Sequence, residues 1–260
     1  MKQAKYIIIF FLLSRIINPT FAQITGKITE ADKQALEGVI VEKYYVYNSK
    51  DKFDTTGGVF PKGAITYRIY IDMKPGYTLQ AVFGTRAHKL RLATTTSFFN
   101  NVKEGNGTGD KIYSKNLNHN TVAFDSWLTM GACTESHNGV PLTEDTDGSI
   151  ITNNSFKKAD GLKAEKTKPV TYFGIDPSFF HYLNPSSEFS TDNGSWAIFG
   201  GMKGATESNK VLIAQLTTEG KLSFELNVQI GTPTGASLQY VAKNAGEKEF
   251  LFEGLNYENK

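Results

Sequence analysis

The chain has 260 residues, with 28 basic and 26 acidic side chains, 40% hydrophobic residues and a single cysteine. A formal charge of +2 gives no strong positive field, which argues against nucleic acid and anionic lipid surfaces as partners. One cysteine cannot form an internal disulfide, so a hydrophobic core must stabilise the fold, and the chain is long enough to build one.

Residues 1–22 have the pattern of a secretory signal peptide. Lys2 and Lys5 precede an apolar run that is too short to span a bilayer, and Thr20 and Ala22 supply the small residues that a signal peptidase reads. We predict cleavage before Gln23 and a secreted or cell-surface chain with no integral membrane span. Because residue 23 is not cysteine, a lipid anchor there is not expected. Loss of 3 of the 28 basic residues leaves 25 against 26 acidic, so the mature charge is about −1.

Alternation of apolar and polar side chains follows the signal peptide and runs through most of the chain. In residues 65–73, Ile65, Tyr67 and Ile69 fall on one face while Thr66 and Arg68 fall on the other, which indicates a half-buried strand. Strands are predicted at residues 38–47, 65–73, 79–83, 90–94, 122–130, 196–200, 211–216, 222–230, 238–242 and 249–252.

Turn residues predict how some of these strands are connected. A Lys-Pro-Gly turn at residues 74–76 predicts a hairpin or meander of strands 65–73 and 79–83, and Glu219-Gly220 predicts a hairpin of strands 211–216 and 222–230 with one wet face. Asp176-Pro177 is typical of the start of a short helix.

The predicted fold class is therefore all-β: a two-sheet antiparallel sandwich, jelly-roll-like, with about nine to eleven strands and long loops. A polar N-terminal segment, residues 23–37, precedes a single domain over residues 38–260. The polar stretches 100–120 and 153–169 are expected to be long surface loops within that domain.

Asp125 and Trp127 form the first candidate binding site. On a strand they share one face while Ser126 points the other way, and an aromatic ring beside a carboxylate suits the C–H faces and hydroxyls of a sugar. Trp196 offers the same chemistry. For both tryptophans the alternative is that the ring fills the core.

An acidic segment around Asp145 and Asp147 is a candidate Ca²⁺ site. Asp145, Asp147 and Gly148 match the middle of a calcium-binding loop, in which staggered oxygens wrap the ion around a tight turn. The first and last ligand positions would be Thr143 and Asn154, neither of them a carboxylate. An acidic turn without metal is the alternative.

Other catalytic patterns are weak. Cys133 is expected to be a small buried residue, with His137 as its nearest candidate partner for thiol chemistry. The four histidines lack the short spacing of zinc sites. A glycosidase needs a pair of carboxylates, and the candidates for it are Asp125, Glu144, Asp145 and Asp160.

Several segments together resemble an uncharacterised extracellular β-rich domain of secreted Bacteroidota proteins, many of which carry a type IX secretion sorting domain. They are residues 66–70 (TYRIY), 79–84 (LQAVFG), 123–129 (AFDSWLT), 139–140 (GV), 144–148 (EDTDG), 193–196 (NGSW), 211–215 (VLIAQ) and 222–226 (LSFEL). The resemblance covers about residues 39–252 and implies an exported β-rich module, with no residue roles to transfer. A sorting domain is not expected here, since the chain ends directly after the matching region.

The leading hypothesis is a secreted, non-catalytic module that binds an extracellular glycan or another surface polymer, or mediates adhesion. The export signal, the wet strand faces and the 12% aromatic content favour it. The alternatives are a secreted polysaccharide hydrolase and a structural envelope or matrix protein.

Overall fold

The structure, a computed structural model, describes residues 26–146, 159–181 and 186–259. Within them the fold is all-β with antiparallel sheets, as the sequence predicts, and has seventeen strands and one short α-helix, α1 (Asn120–Ala123). The predicted strand count was lower because strands of two or three residues are too short to show alternation.

The strands are β1 (Leu36–Val46), β2 (Ile65–Met73), β3 (Thr78–Gly84), β4 (Leu90–Thr94), β5 (Trp127–Leu128), β6 (Ala132–Thr134), β7 (His137–Gly139), β8 (Leu162–Ala164), β9 (Thr171–Phe173), β10 (Glu188–Thr191), β11 (Gly194–Met202), β12 (Lys210–Thr218), β13 (Leu222–Glu225), β14 (Asn227–Gly231), β15 (Ser237–Val241), β16 (Glu249–Leu251) and β17 (Asn256–Glu258). Short 3-10 helices cover Asp32–Gln34, Asp51–Phe53, Gly109–Lys111, Ser114–Asn118, Leu142–Glu144, Pro177–His181 and Glu253–Leu255.

These strands form four sheets. The front sheet has the order β1-β2-β12-β5, the short sheet β10-β4-β13-β17, the long sheet β16-β15-β14-β3-β11-β9, and a small sheet β6-β7-β8. Among the described pairs, β15 with β16 is parallel and the others are antiparallel.

Both predicted hairpins are wrong. β2 lies in the front sheet while β3 lies in the long sheet, and β12 and β13 are likewise in different sheets. Alternation identifies which side chains share a face, but it does not identify the neighbouring strand, and here the turns carry the chain across the sandwich.

The short and long sheets repeat the same neighbour order because three chain segments run through both. β3 continues into β4, β10 into β11 and β13 into β14. The neighbouring strands β10, β4 and β13 of the short sheet are therefore continuations of the neighbouring strands β11, β3 and β14 of the long sheet. The predicted strand 222–230 is therefore interrupted at Leu226, where the chain turns the corner. Gly84 lies at this corner, where a Cβ would stand 2.2 Å from the carbonyl oxygen of Thr191, so a larger residue would clash with backbone.

β2 in the front sheet is buried on both faces, which corrects the half-buried strand predicted for residues 65–73. Tyr67 and Ile69 pack into the main core between the sheets, whereas Tyr70 packs into a second cluster on the opposite face. Arg68 on that opposite face is only 2% exposed. Its guanidinium stacks 3.5 Å from the centroid of the Tyr44 ring and donates to Gln215 Oε1 at 3.0 Å.

The second cluster is covered by the segment that was predicted to be a surface loop at residues 100–120. Asn101, Ile112 and Leu117 are buried in this segment, which contains two 3-10 helices and leads into α1. Its polar composition misled the prediction, because buried side-chain hydrogen bonds satisfy its polar groups. Asn101 Oδ1, for example, accepts three backbone N–H groups from residues 103–105.

The predicted start of a short helix at Asp176-Pro177 is confirmed. Asp176 Oδ1 accepts the backbone N–H of Ser178 at 2.9 Å, at the start of the 3-10 helix Pro177–His181. No helix within the described ranges is long and apolar enough to cross a membrane.

Candidate functional site

The tryptophans predicted as a sugar platform are buried in the core. Trp196 is 0% exposed, and its indole Nε1 donates to the carbonyl oxygen of Thr129 at 2.8 Å. Trp127 is 2% exposed and belongs to the second cluster. Neither ring is available to a ligand on the surface, so the core alternative holds for both.

Asp125 is also buried, and its carboxyl group accepts hydrogen bonds from the backbone. The predicted strand 122–130 begins instead as the end of α1, and Asp125 lies in the turn before β5. Its Oδ1 accepts the N–H groups of Asn101 (2.7 Å) and Ser126 (2.9 Å), and its Oδ2 accepts that of Asn106 (3.1 Å). Burial raises the pKa of Asp125 well above its usual range, against the opposing effect of these donors. The predicted binding surface of Asp125, Trp127 and Trp196 is thus not formed.

The described part of the acidic segment is hydrogen-bonded to the chain that follows it. Asp145 Oδ2 accepts the backbone N–H groups of Asp160 (2.7 Å) and Gly161 (2.8 Å), so this oxygen fixes the chain after the acidic loop. Asp147 lies outside the described residues. Within the described ranges, no group of three His, Cys, Asp or Glu side chains is placed to hold a metal ion.

The remaining carboxylates named for a hydrolase, Glu144, Asp145 and Asp160, are buried or hydrogen-bonded to neighbouring groups. Asp160 is 0% exposed. Glu144 accepts hydrogen bonds from Thr206 and Ser208, each at 2.6 Å, and pairs with Lys210. Partial burial acts to raise the pKa of Glu144, but these donors outweigh it, so the pKa lies below its ordinary value.

Cys133 is buried as predicted. Burial raises the pKa of its thiol to about 11, so the side chain is not a thiolate at neutral pH. His137 Nδ1 lies 3.0 Å from Thr134 Oγ1, 3.1 Å from Ser136 Oγ and 3.2 Å from Ser114 Oγ, so its described contacts are with hydroxyls.

A different site lies on the outer face of the long sheet. A cleft of about 400 Å³, hereafter the groove, is lined by side chains from β3, β9, β11, β14 and β15. This volume is within the range of small-molecule sites. The lining residues are Gln80, Ala81, Thr171, Phe173, Ala197, Ile198, Phe199, Gly200, Gln229 and Ser237.

Small side chains form the floor of the groove. Ala197 of β11 lies opposite Ala81 of β3 and opposite Thr171 of β9, and Ala81 lies opposite Gln229 of β14. Side chains opposite one another on neighbouring strands share a face, so these four form one row across four strands. With two alanines at its centre, the row leaves a depression on this face of the sheet.

Two phenylalanines stand at the groove with their rings in solvent. Phe199 is fully exposed, and Phe173 is 57% exposed. Hydration of these rings is unfavourable, and covering one of them fully would contribute about 1.5–3 kcal/mol. Both therefore favour binding a partner with an apolar face.

An irregularity in β11 projects Phe199 outwards. The register with β3 passes from Ala197 opposite Ala81 to Met202 opposite Leu79, so four residues of β11 face one residue of β3. Gly200 and Gly201, with φ of 77° and 75°, form this bulge in the left-handed region that favours glycine.

Polar side chains stand beside the aromatic rings in a fixed arrangement. Gln80 Oε1 accepts from Gln229 Nε2 and from Ser237 Oγ, each at 2.8 Å. A Cβ on Gly231 would lie 2.5 Å from Gln80 Nε2, so the glycine makes room for this amide. The groove therefore presents aligned amide and hydroxyl groups next to aromatic rings.

The sequence carried signals for this groove that the tryptophan-based prediction did not use. If Trp196 points inwards, alternation places Ala197 and Phe199 on the outer face. The Gly200-Gly201 pair is typical of a bulge in a strand. The row across β9, β11, β3 and β14 could not be predicted, because it depends on which strands are neighbours.

Comparisons of the chain with protein-family models, with curated proteins and with solved structures found no match. The function is therefore argued from the groove itself.

Proposed function

We propose that this chain is an exported, non-catalytic carbohydrate-binding or adhesion module, and that it binds an extracellular glycan in the groove of the long sheet. The observation that carries the proposal is the pairing of the exposed Phe199 and Phe173 rings with the linked Gln80, Gln229 and Ser237 groups over an alanine floor.

The chemistry of this pairing suits a sugar. The C–H faces of a pyranose ring are apolar and stack on aromatic rings, while its hydroxyls donate and accept hydrogen bonds at the ring edge. Gln80 and Gln229 each carry an amide with both donor and acceptor groups. A groove with aromatic rings alone would favour an apolar ligand, whereas this one combines both kinds of contact.

The groove is also preorganised. Its polar groups are held by hydrogen bonds between β3, β14 and β15, and its floor is built on paired strands. Because the backbone is already ordered before the ligand binds, little conformational entropy is lost on binding, and this favours a higher affinity. Export supports the same function, since a signal peptide at residues 1–22 would bring the groove into contact with extracellular polymers.

Binding is tested by screening the mature chain on a glycan array and measuring the affinity of the strongest hit by calorimetry. We expect Phe199→Ala to weaken binding about tenfold, which corresponds to about 1.4 kcal/mol, because the variant loses one stacking surface. We expect Phe173→Ala to weaken it by a smaller factor, since this ring is partly covered already.

Phe53→Ala is the matched control, because Phe53 is 77% exposed but lies in the 3-10 helix Asp51–Phe53, away from the groove. It should bind like the wild type. A glycan affinity that is equal in the wild type, Phe199→Ala and Phe173→Ala would refute the groove as the binding site.

A further inference from the structure

A second cleft, hereafter the lysine cleft, adjoins the groove across the bulge of β11. Its volume is about 300 Å³, and Gly200 lines both clefts. Three lysines, Lys166, Lys168 and Lys203, line the lysine cleft together with Glu165. Three cations and one carboxylate give this small area a formal charge of about +2, in a chain with nearly balanced charge overall.

None of the three lysines forms an ion pair within the described part of the chain. The ion pairs found in the described part of the chain do not include Lys166, Lys168 or Lys203. The Glu165 carboxylate accepts from Asn138 Nδ2 at 3.1 Å. With three exposed ammonium groups against one carboxylate, the lining of the cleft favours an anion.

One lysine of this cleft is held in place by the backbone. Lys168 Nζ donates to the carbonyl oxygen of Gly201 at 3.1 Å, which fixes one ammonium group on the bulge that also projects Phe199. Asn138, which lines the cleft, is 1% exposed, and its Oδ1 has no hydrogen-bond partner among the described residues. This oxygen accepts hydrogen bonds only, so it is no partner for an anion, and the acidic ligand class is argued from the lysines alone.

We infer that the groove and the lysine cleft are one continuous site, and that its ligand class is an acidic polysaccharide. This inference rests on the proposed function of the groove. A sugar ring stacks on Phe199, and a carboxylate or sulfate of a neighbouring sugar lies among Lys166, Lys168 and Lys203. Carboxylate and sulfate groups both accept charge-assisted hydrogen bonds from ammonium groups.

The test uses calorimetry with three probes: polygalacturonate for carboxylates, chondroitin sulfate for sulfates, and cellohexaose as a neutral chain. The test variant is Lys166→Gln/Lys203→Gln, which keeps Lys168 and its contact with the bulge. The matched control is Lys62→Gln/Lys221→Gln, which makes the same charge change at exposed lysines outside the lysine cleft.

We expect the wild type to bind one acidic probe more tightly than cellohexaose, and the test variant to bind that probe about tenfold more weakly. The control variant should bind within about twofold of the wild type. Which acidic probe binds distinguishes carboxylate from sulfate recognition.

The outcomes separate the two proposals. If all three probes bind equally and the test variant has no effect, the acidic ligand class is overturned while the groove stands. If binding of the acidic probe is weakened in Lys166→Gln/Lys203→Gln but not in Phe199→Ala, the continuity of the two clefts is overturned, and the groove proposal is decided separately by the strongest hit of the glycan array. If none of the probes binds, the inference of an acidic ligand is overturned, and a neutral hit on the array would leave the groove proposal intact.

Discussion

Trp196→Ala is expected to lower the free energy of unfolding by about 3–5 kcal/mol, the range for removing a fully buried large aromatic side chain. Trp196 is 0% exposed in the main core, and the carbonyl oxygen of Thr129 would also lose the indole N–H that it accepts. Because domains of this kind are stable by only about 5–15 kcal/mol, the loss would be a large part of the total. Urea unfolding followed by far-ultraviolet circular dichroism measures it.

Phe199→Ala is the matched control, since Phe199 lies on the same strand three residues away but is exposed to solvent. Its stability should stay within about 0.5 kcal/mol of the wild type. Comparison of the two variants distinguishes a core residue from a site residue of the same strand. We expect Trp196 to be needed for stability and Phe199 for binding. Equal losses in the two variants would contradict the assignment of Trp196 to the core and Phe199 to the groove.

Asp125→Ala is expected to cost about 3 kcal/mol or more, because three backbone N–H groups, those of Asn101, Asn106 and Ser126, lose their acceptor, and a buried unsatisfied donor costs about 1–3 kcal/mol. Asp125→Asn should cost less, since one amide oxygen can still accept from two of them. Urea unfolding compares the variants, and losses that agree within about 0.5 kcal/mol would contradict the bonding role of this carboxylate.

The same residue predicts a pH dependence. Burial raises the pKa of Asp125 in the folded state, so in the range above the ordinary carboxyl pKa of about 3.9 the folded chain holds a proton that the unfolded chain releases. Stability therefore falls as pH rises through that range. The Asn variant has no group to titrate, so the stability advantage of the wild type over it should shrink from pH 4 upwards. An advantage that grows with pH would contradict the raised pKa.

The sequence predicts faces better than it predicts neighbours. Alternation placed Tyr67 and Ile69 on the same face of β2, and the structure confirms it. Alternation could not show that the opposite face, with Arg68 and Tyr70, is also buried, because the covering segment is polar and contains little regular structure. Its burial depends on hydrogen bonds between residues far apart in the chain.

The site shows the same limit. Trp127 and Trp196 were predicted to bind a ligand because they are large aromatic residues next to polar ones in the sequence. Their large apolar rings also suit the core, where the structure places both. Phe199 was not among the predicted site residues, yet its position on the outer face follows from alternation once Trp196 is placed inside. The lysine cleft depends on the closeness of the β8–β9 connection to the bulge of β11, which no local pattern encodes.

The central claim is that the groove binds glycan, and methyl NMR of alanine-labelled protein tests it most directly. Ala81 and Ala197 form the floor of the groove, while Ala35 and Ala64 are buried elsewhere and serve as internal controls. On titration with the strongest glycan hit, we predict concentration-dependent shifts of the Ala81 and Ala197 methyl signals and unchanged signals for Ala35 and Ala64. Saturable binding that leaves the Ala81 and Ala197 signals unmoved would contradict the claim.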